Sequence, residues 1–235
     1  MTHTNWLNNI QIDNATNLEQ GLYGSIAPAR PAWHHVGKRV LDVAASGAAL
    51  LVLAPLFILL SLVIMLDGGS PVFGHQRIGR NGRSFRCLKF RSMVPNAGEV
   101  LAKLLQDDPE AAHLWATTRK LPRDPRVTSI GRFLRATSLD ELPQLINVLR
   151  GEMSLVGPRP VVQEELTEHY GAAAASYLSV RPGITGLWQI SGRSDTSYAE
   201  RVALDCRYVH EFSFWSDLNI LWRTIPAVLA GRGAY

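Results

Sequence analysis

Val43 to Leu66 is a run of 24 residues without one charge, reading VAASGAALLVLAPLFILLSLVIML. As a helix it would be about 36 Å long, enough to enter or cross a hydrocarbon core of roughly 30 Å. A buried helix of a soluble core is the plainer alternative, though core helices are rarely so long and so uniformly apolar. Pro55 lies in the middle of the run, where a missing amide and a ring clash kink or break a helix. Arg30, Lys38 and Arg39 precede the run. Arg77, Arg80, Arg83, Arg86, Lys89 and Arg91 follow it and, with Asp67, leave residues 67–96 at +5. Lys and Arg mark the cytosolic flank of a membrane segment, and here both flanks carry the mark. A helix that enters, breaks at Pro55 and returns to the same face accounts for both flanks. An ordinary kinked span stays open, because membrane helices tolerate proline.

The rest of the 235-residue chain, 46% apolar and 19% charged, is long enough for a sizeable core in one domain or two. The charged share lies below the roughly 25% of a soluble domain, as expected beside a membrane. Cys87 and Cys206 are the only cysteines, so no disulfide framework is called for and a reducing compartment fits. Composition excludes a disordered chain, a collagen, a secreted disulfide scaffold and a polytopic transporter. The opening stretch is polar and lacks apolar periodicity, so residues 1–37 read as a flexible tail. It has no basic start running straight into an apolar core, which a signal peptide requires.

Residues 69–93, GSPVFGHQRIGRNGRSFRCLKFRSM, follow the apolar run. Gly79 to Gly82 reads as a turn joining two short strands. Its basic side chains suit anionic headgroups, phosphates or nucleotides; a solvated cytosolic flank is the alternative. Nucleic acid is disfavoured, because aromatics do not interleave with the cations as a stacking platform would. Residues 97–120 read as two helices or a bend, interrupted at Pro109, and a short helix is expected around Arg132 to Arg135.

The densest chemistry lies in SLDELPQLINVLRGEMSLVGPRP, residues 138–160. Leu142, Leu145, Ile146 and Leu149 are spaced as one helix face, and Gly151 is a natural stop. Ser138 and Glu141 fit a capping box, the structural explanation of Glu141. Pro143 is awkward if Ser138 is the cap and comfortable in a first turn if Asp140 is. Either way, two adjacent carboxylates stand at a helix start, where the dipole favours ionisation. An ionised aspartate can attack phosphorus, and a neighbouring glutamate can hold Mg²⁺. Adjacent helical residues point about 100° apart, which suits different roles. In Pro158-Arg159-Pro160 two fixed φ angles hold an arginine fork, or simply a turn. Arg181 to Arg193, RPGITGLWQISGR, reads as a glycine-rich loop that is neither GxGxxG nor a P-loop. Tyr208 to Leu229 carries aromatics on an amphipathic pattern that suits a membrane interface, with core or dimer packing as the alternative.

Taken in order, the KRVLD start, the broken apolar helix, GSPVF…QRIGRNGRSF…KFRSM, SLDELPQL, GEMSLVGPRP and RPGITGLWQISGR resemble the bacterial sugar transferase family, the monotopic polyprenyl-phosphate phosphoglycosyl transferases, over roughly Lys38 to Val228. The resemblance is to the short, exopolysaccharide-initiating type. It implies a mainly helical α+β fold: a re-entrant membrane helix at about 40–67, interfacial amphipathic helices and a small cytosolic catalytic region, together forming one transferase domain over 38–235. It implies that Asp140 attacks the β-phosphate of a UDP-sugar, galactose or glucose, releasing UMP and leaving a phosphosugar–aspartate. Undecaprenyl phosphate then takes the sugar phosphate. Glu141 would bind Mg²⁺, and Lys89, Arg135 and Arg159 would bind phosphate. The setting implied is the inner membrane with the catalytic face toward the cytoplasm, among membrane lipids; homodimerisation stays open. Family members often carry serine before the helix-breaking proline, and Ala54 stands there instead.

Overall fold

The computed structural model describes residues 32–118, 121, 123–191 and 197–229. Most of the expected tail, with Arg30, and the end of the glycine-rich loop, with Arg193, lie outside them. The chain is mainly helical with two small two-stranded sheets. It forms two compact units. Among the described residues, the first gathers 32–52, Gly74–Leu88 and those from Gln144 to Leu229; the second holds Leu53–Phe73 and those within Lys89–Pro143.

Helix α1, Ala32–Met65, has 34 residues and is continuous through Pro55, so it begins within the stretch read as tail. Proline removes one amide donor, and the apolar residues on both sides sustain the helix. Leu51 and Val52 are 79% and 77% exposed, and Ile58, Leu59 and Leu62 are more than half exposed. A buried helix of a soluble core is therefore excluded: among the described residues α1 is the one helix long and apolar enough to cross a membrane.

In the first unit, β1 (Val72–Ile78) and β2 (Ser84–Phe90) pair through the expected turn. A connection this short permits only an antiparallel hairpin. Asn81 and Gly82 take positive φ there, and the Gly79 amide donates to the Arg83 carbonyl at 2.8 Å. Beyond the hairpin, β3 (Ser154–Val156) runs parallel to β4 (Gly183–Thr185), with Ser154 opposite Gly183 and Val156 opposite Thr185. Within the stretch read as a loop, Gly183–Thr185 is thus a strand. The glycines of that stretch and Gly157 let backbone meet backbone: a Cβ on Gly183 or Gly186 would collide with Gly157. The remaining helices here are α5 (Gln144–Arg150), α6 (Gln163–Glu165), α7 (Ala174–Ser179), α8 (Leu187–Ile190), α9 (Tyr198–Glu211) and α10 (Phe214–Leu229). The N-terminal half of α1 is tied to this unit by polar bonds. Lys38 Nζ donates to the Val156 carbonyl and Asp217, Arg39 to the Val148 and Leu149 carbonyls, and Asp42 accepts from the Leu155 amide.

In the second unit, the C-terminal half of α1 is held by burial instead. Leu60 and Ile64 pack with Phe90 and Leu134, and Phe57 lies 4.7 Å from the Phe90 ring centre. Arg91 closes the helix end, donating to the Ile64 carbonyl and Asp67. Helices α2 (Ala97–Asp107) and α3 (Pro109–Thr118) divide at Pro109 as expected, and α4 spans Ser129–Ala136.

Candidate active site

The second unit builds a carboxylate site from β2, α4 and the turn that follows α4. Along β2 burial alternates from Ser84 to Cys87, burying Phe85 and Cys87; the alternation then lapses, with Lys89 half-buried and Phe90 buried. Ser92, just beyond, is a hub. Its carbonyl accepts from the Thr128 amide at 3.1 Å and its Oγ from Arg135 Nε at 2.9 Å. Gly131 lies against the Ser92 backbone with no room for a Cβ, so α4 is set where only glycine allows. Thr128 caps α4 by accepting from the Gly131 amide.

After α4 the chain turns sharply. Ser138 sits in the left-handed region, at φ 56° and ψ 16°, and its hydroxyl caps nothing. The expected Ser138–Glu141 capping box is therefore absent. Its backbone carbonyl, not its side chain, receives the Glu141 amide. A true capping box stands elsewhere, between Ser197 and Glu200 at the start of α9. Asp140 and Glu141 occupy a single 3₁₀ turn, Leu139–Glu141, and α5 starts only at Gln144, after Pro143. A one-turn element sums few peptide dipoles, so the expected dipole effect is not what governs Asp140. Burial pushes the Asp140 carboxyl above its ordinary value; nearby Lys89 pulls it down, Glu141 pushes it up and Arg135 lowers it.

Lys89 is the meeting point. Its Nζ lies 2.7 Å from Glu141 Oε1 and 3.4 Å from Asp140 Oδ2. The two carboxylates therefore face one cation, and the closer partner is Glu141. Asp140 and Glu141 offer carboxylate oxygens, the donor type Mg²⁺ takes, typically one or two beside water and substrate phosphate; here both oxygens face Lys89 Nζ. Arg135 is gripped by its Nε edge on Ser92 Oγ, near enough to Asp140 for its charge to lower that carboxyl's pKa.

Of the residues read from the sequence, the structure brings Lys89, Arg135, Asp140 and Glu141 together in the second unit, where Pro55 also lies. Arg159 belongs to the first unit. Its guanidinium lies 5.2 Å from the Trp188 ring centre, and that of Arg201 lies 5.1 Å from the same centre. Burial lowers the pKa of nearby Arg77, partly offset by Glu165. Asp205, fully buried, is pushed up to about 6 by burial, against hydrogen bonds from the Tyr170 hydroxyl and the Arg159 backbone. Sequence reasoning missed Ser92, Gly131, Trp188 and Arg201. A lone glycine inside the helical pattern SIGRFLR was the one available signal.

A long exposed apolar helix and a carboxylate pair beside two cations are what the described residues present. The chain belongs to the bacterial sugar transferase family, whose sequence profile it matches over residues 33–231. It is 57% identical over 201 residues to the exopolysaccharide production protein ExoY of Rhizobium meliloti (strain 1021), covering 85% of this chain and 88% of that one. It is 52% identical over 198 residues to the undecaprenyl-phosphate galactose phosphotransferase of Salmonella typhimurium, covering 84% of this chain and 41% of the relative. The UDP-glucose:undecaprenyl-phosphate glucose-1-phosphate transferase of Caulobacter vibrioides is 41% identical over 207 residues, 84% of this chain and 72% of its own length.

Proposed function

We propose that the protein transfers galactose-1-phosphate or glucose-1-phosphate from a UDP-sugar to undecaprenyl phosphate, as the first membrane step of exopolysaccharide assembly. The observation that carries the mechanism is Asp140. It is a nearly buried carboxylate whose one hydrogen bond among the described residues is the long contact with Lys89. An Asp140 oxygen attacks the β-phosphorus. The bond from that phosphorus to the bridging oxygen breaks, and UMP leaves with the oxygen. The phosphosugar is then an acyl phosphate on Asp140. An undecaprenyl phosphate oxygen attacks the same phosphorus, and Asp140 departs as a free carboxylate. Lys89 and Arg135 bind phosphate oxygens and stabilise the charge that builds as UMP departs; for Arg159, in the first unit, a phosphate-binding role rests on the family resemblance alone. Glu141 would hold Mg²⁺, which supplies further neutralisation of phosphate charge.

The reading of α1 as re-entrant, with both ends cytoplasmic at the inner membrane, is supported by the first unit alone. Lys38, Arg39 and Asp42 precede the apolar run, yet they bond to residues 148–156, which follow it. A spanning helix would leave those groups on opposite faces, and no second long apolar helix among the described residues carries the chain back. Pro55, through which α1 runs unbroken, is then the position at which the helix would bend in the membrane. Single cysteines at Val36 and Ser70 test this: an impermeant maleimide should label both from the cytoplasmic side only, whereas labelling from opposite sides establishes a span. For the activity, purified protein with undecaprenyl phosphate should release UMP from UDP-galactose or UDP-glucose. No release from any UDP-sugar overturns the assignment.

A further inference from the structure

In the first unit, away from the carboxylate site, two cavities share a wall made by Lys38 and Phe212. One is an open basic cleft: Arg39, Arg80 and Arg181 line it together with Asp42. The other is an open apolar cleft, lined by Leu41, Phe212 and Phe214.

The cations of the basic cavity are unequally matched. Lys38 is paired with Asp217 at 2.5 Å. Asp42 already accepts from Ser154 Oγ and the Leu155 amide. Three guanidinium groups thus face one committed carboxylate. Two of them are fixed in place by the C-terminal end of α5. Arg39 donates to the Val148 and Leu149 carbonyls at 2.6 and 3.0 Å, and Arg181 Nε donates to the Gly151 carbonyl at 2.7 Å. Arg80 reaches the cavity from the exposed hairpin turn. Guanidinium groups already held in position lose little freedom when an anion arrives. Burial, then the neighbouring charges of Arg39 and Arg80, lower the Arg181 pKa, as unneutralised like charges do. The height of the site is set by α1: Arg39 lies one turn before the uncharged run, and Val36 and Val40 beside it are 61% and 62% exposed. At the other chamber Phe214 is half exposed and its neighbour Trp215 is 77% exposed, a pattern suited to the headgroup level of a bilayer.

We infer that the paired cavities bind one lipid through its phosphate, with the phosphate among Arg39, Arg80 and Arg181 and the hydrocarbon along Leu41, Phe212 and Phe214. A basic chamber joined to an apolar one at membrane height matches an amphiphile with an anionic head. A bilayer phospholipid and a polyprenyl phosphate share that chemistry.

The full chain, delipidated in a nonionic detergent, is examined by native mass spectrometry with dioleoyl phosphatidylglycerol, undecaprenyl phosphate, dioleoylglycerol or inorganic phosphate. Arg80→Ala should weaken retention of the true occupant about fivefold, the worth of one cation near a phosphate surface, and Arg80→Glu should weaken it further. The lipid whose binding falls in these variants identifies the source. Arg181→Lys, which keeps the charge, should fall less than Arg80→Ala. Arg86→Ala removes an equally exposed charge outside the cavity and serves as control. Equal retention in wild type and Arg80→Ala overturns the inference, as does an equal loss in Arg86→Ala. Retention of dioleoylglycerol as strong as that of its phosphorylated counterpart removes the basic half. Displacement of either lipid by inorganic phosphate at equal concentration removes the apolar half. The readout needs no turnover, so it stands or falls apart from the transferase reading.

Discussion

Each unit contains a lysine against a nearly buried aspartate, and the two pairs differ in how completely the aspartate is satisfied. In the first unit, Asp217 takes Lys38 on Oδ2 at 2.5 Å and the Tyr208 hydroxyl on Oδ1 at 2.9 Å, and it is 2% exposed. In the second, Asp140 has, among the described residues, only Lys89 at 3.4 Å, and Glu141 holds that lysine at 2.7 Å. Burial raises the pKa of both carboxyls. A saturated carboxylate is a fastening, since its lone pairs are occupied and its cation is spent on it. An under-bonded one beside a shared cation keeps lone pairs for an incoming phosphorus and a neighbour for the charge that follows. Lys38–Asp217 pins the start of α1; Lys89–Asp140 is the pair to which the proposed reaction assigns the chemistry.

The sharpest way to break this contrast is to remove each aspartate. Asp140→Asn should cut turnover at least about ten-thousandfold, as losing a nucleophile does, with thermal unfolding little changed. Asp217→Ala should do the reverse. It leaves Lys38 and Tyr208 without their buried acceptor, a loss on the order of 3 kcal/mol, seen as a lower unfolding temperature in detergent, while the folded fraction keeps its turnover. Equal turnover losses in the two variants would erase the distinction.

A smaller effect is expected from the lysines. Lys89→Met should slow turnover about a hundredfold by removing a charge aimed at the developing transition state. It should also move the acid limb of kcat. Asp140 reacts ionised, so activity is lost as pH falls through its raised pKa. Lys89 is the cation that pulls this pKa down, so without it the limb shifts to higher pH. Lys38→Met should leave the limb in place.

The motif SLDELPQL and the cations near it made Lys89, Arg135, Asp140 and Glu141 legible, and the uncharged run made α1 legible. What stayed hidden depends on distance or on departures from local rules. Lys38 and Asp217 stand 179 residues apart, and no period links them. Ser138 satisfies the capping-box pattern, but the turn after α4 forces it into the left-handed region, where the hydroxyl cannot cap. Strands β3 and β4 have three residues each, too few to show alternation, so RPGITG looked like a loop. Gly131 and Ser92 set α4 through a backbone approach that composition does not reveal.

The smallest predicted effect concerns a third buried aspartate, Asp205, which has no lysine. Its folded pKa of about 6 lies above the ordinary carboxyl value. Its contribution to stability is therefore fully present below the ordinary carboxyl value and is lost as pH rises through about 6, on the order of 3 kcal/mol across the window. Asp205→Asn should flatten the pH dependence of the unfolding temperature between about 4 and 6. An unchanged slope would show that Asp205 titrates at its ordinary value.

The central claim, that Asp140 carries the phosphosugar, is tested most directly by trapping it. Enzyme is incubated with labelled UDP-sugar and Mg²⁺, without undecaprenyl phosphate, then digested for peptide mass analysis. The account predicts a hexose-phosphate adduct on the peptide containing Asp140, a stoichiometric burst of UMP, and discharge of the adduct when undecaprenyl phosphate is added. If no adduct or burst forms and UMP appears only when both substrates are present, transfer is direct and the assignment of Asp140 as nucleophile is contradicted.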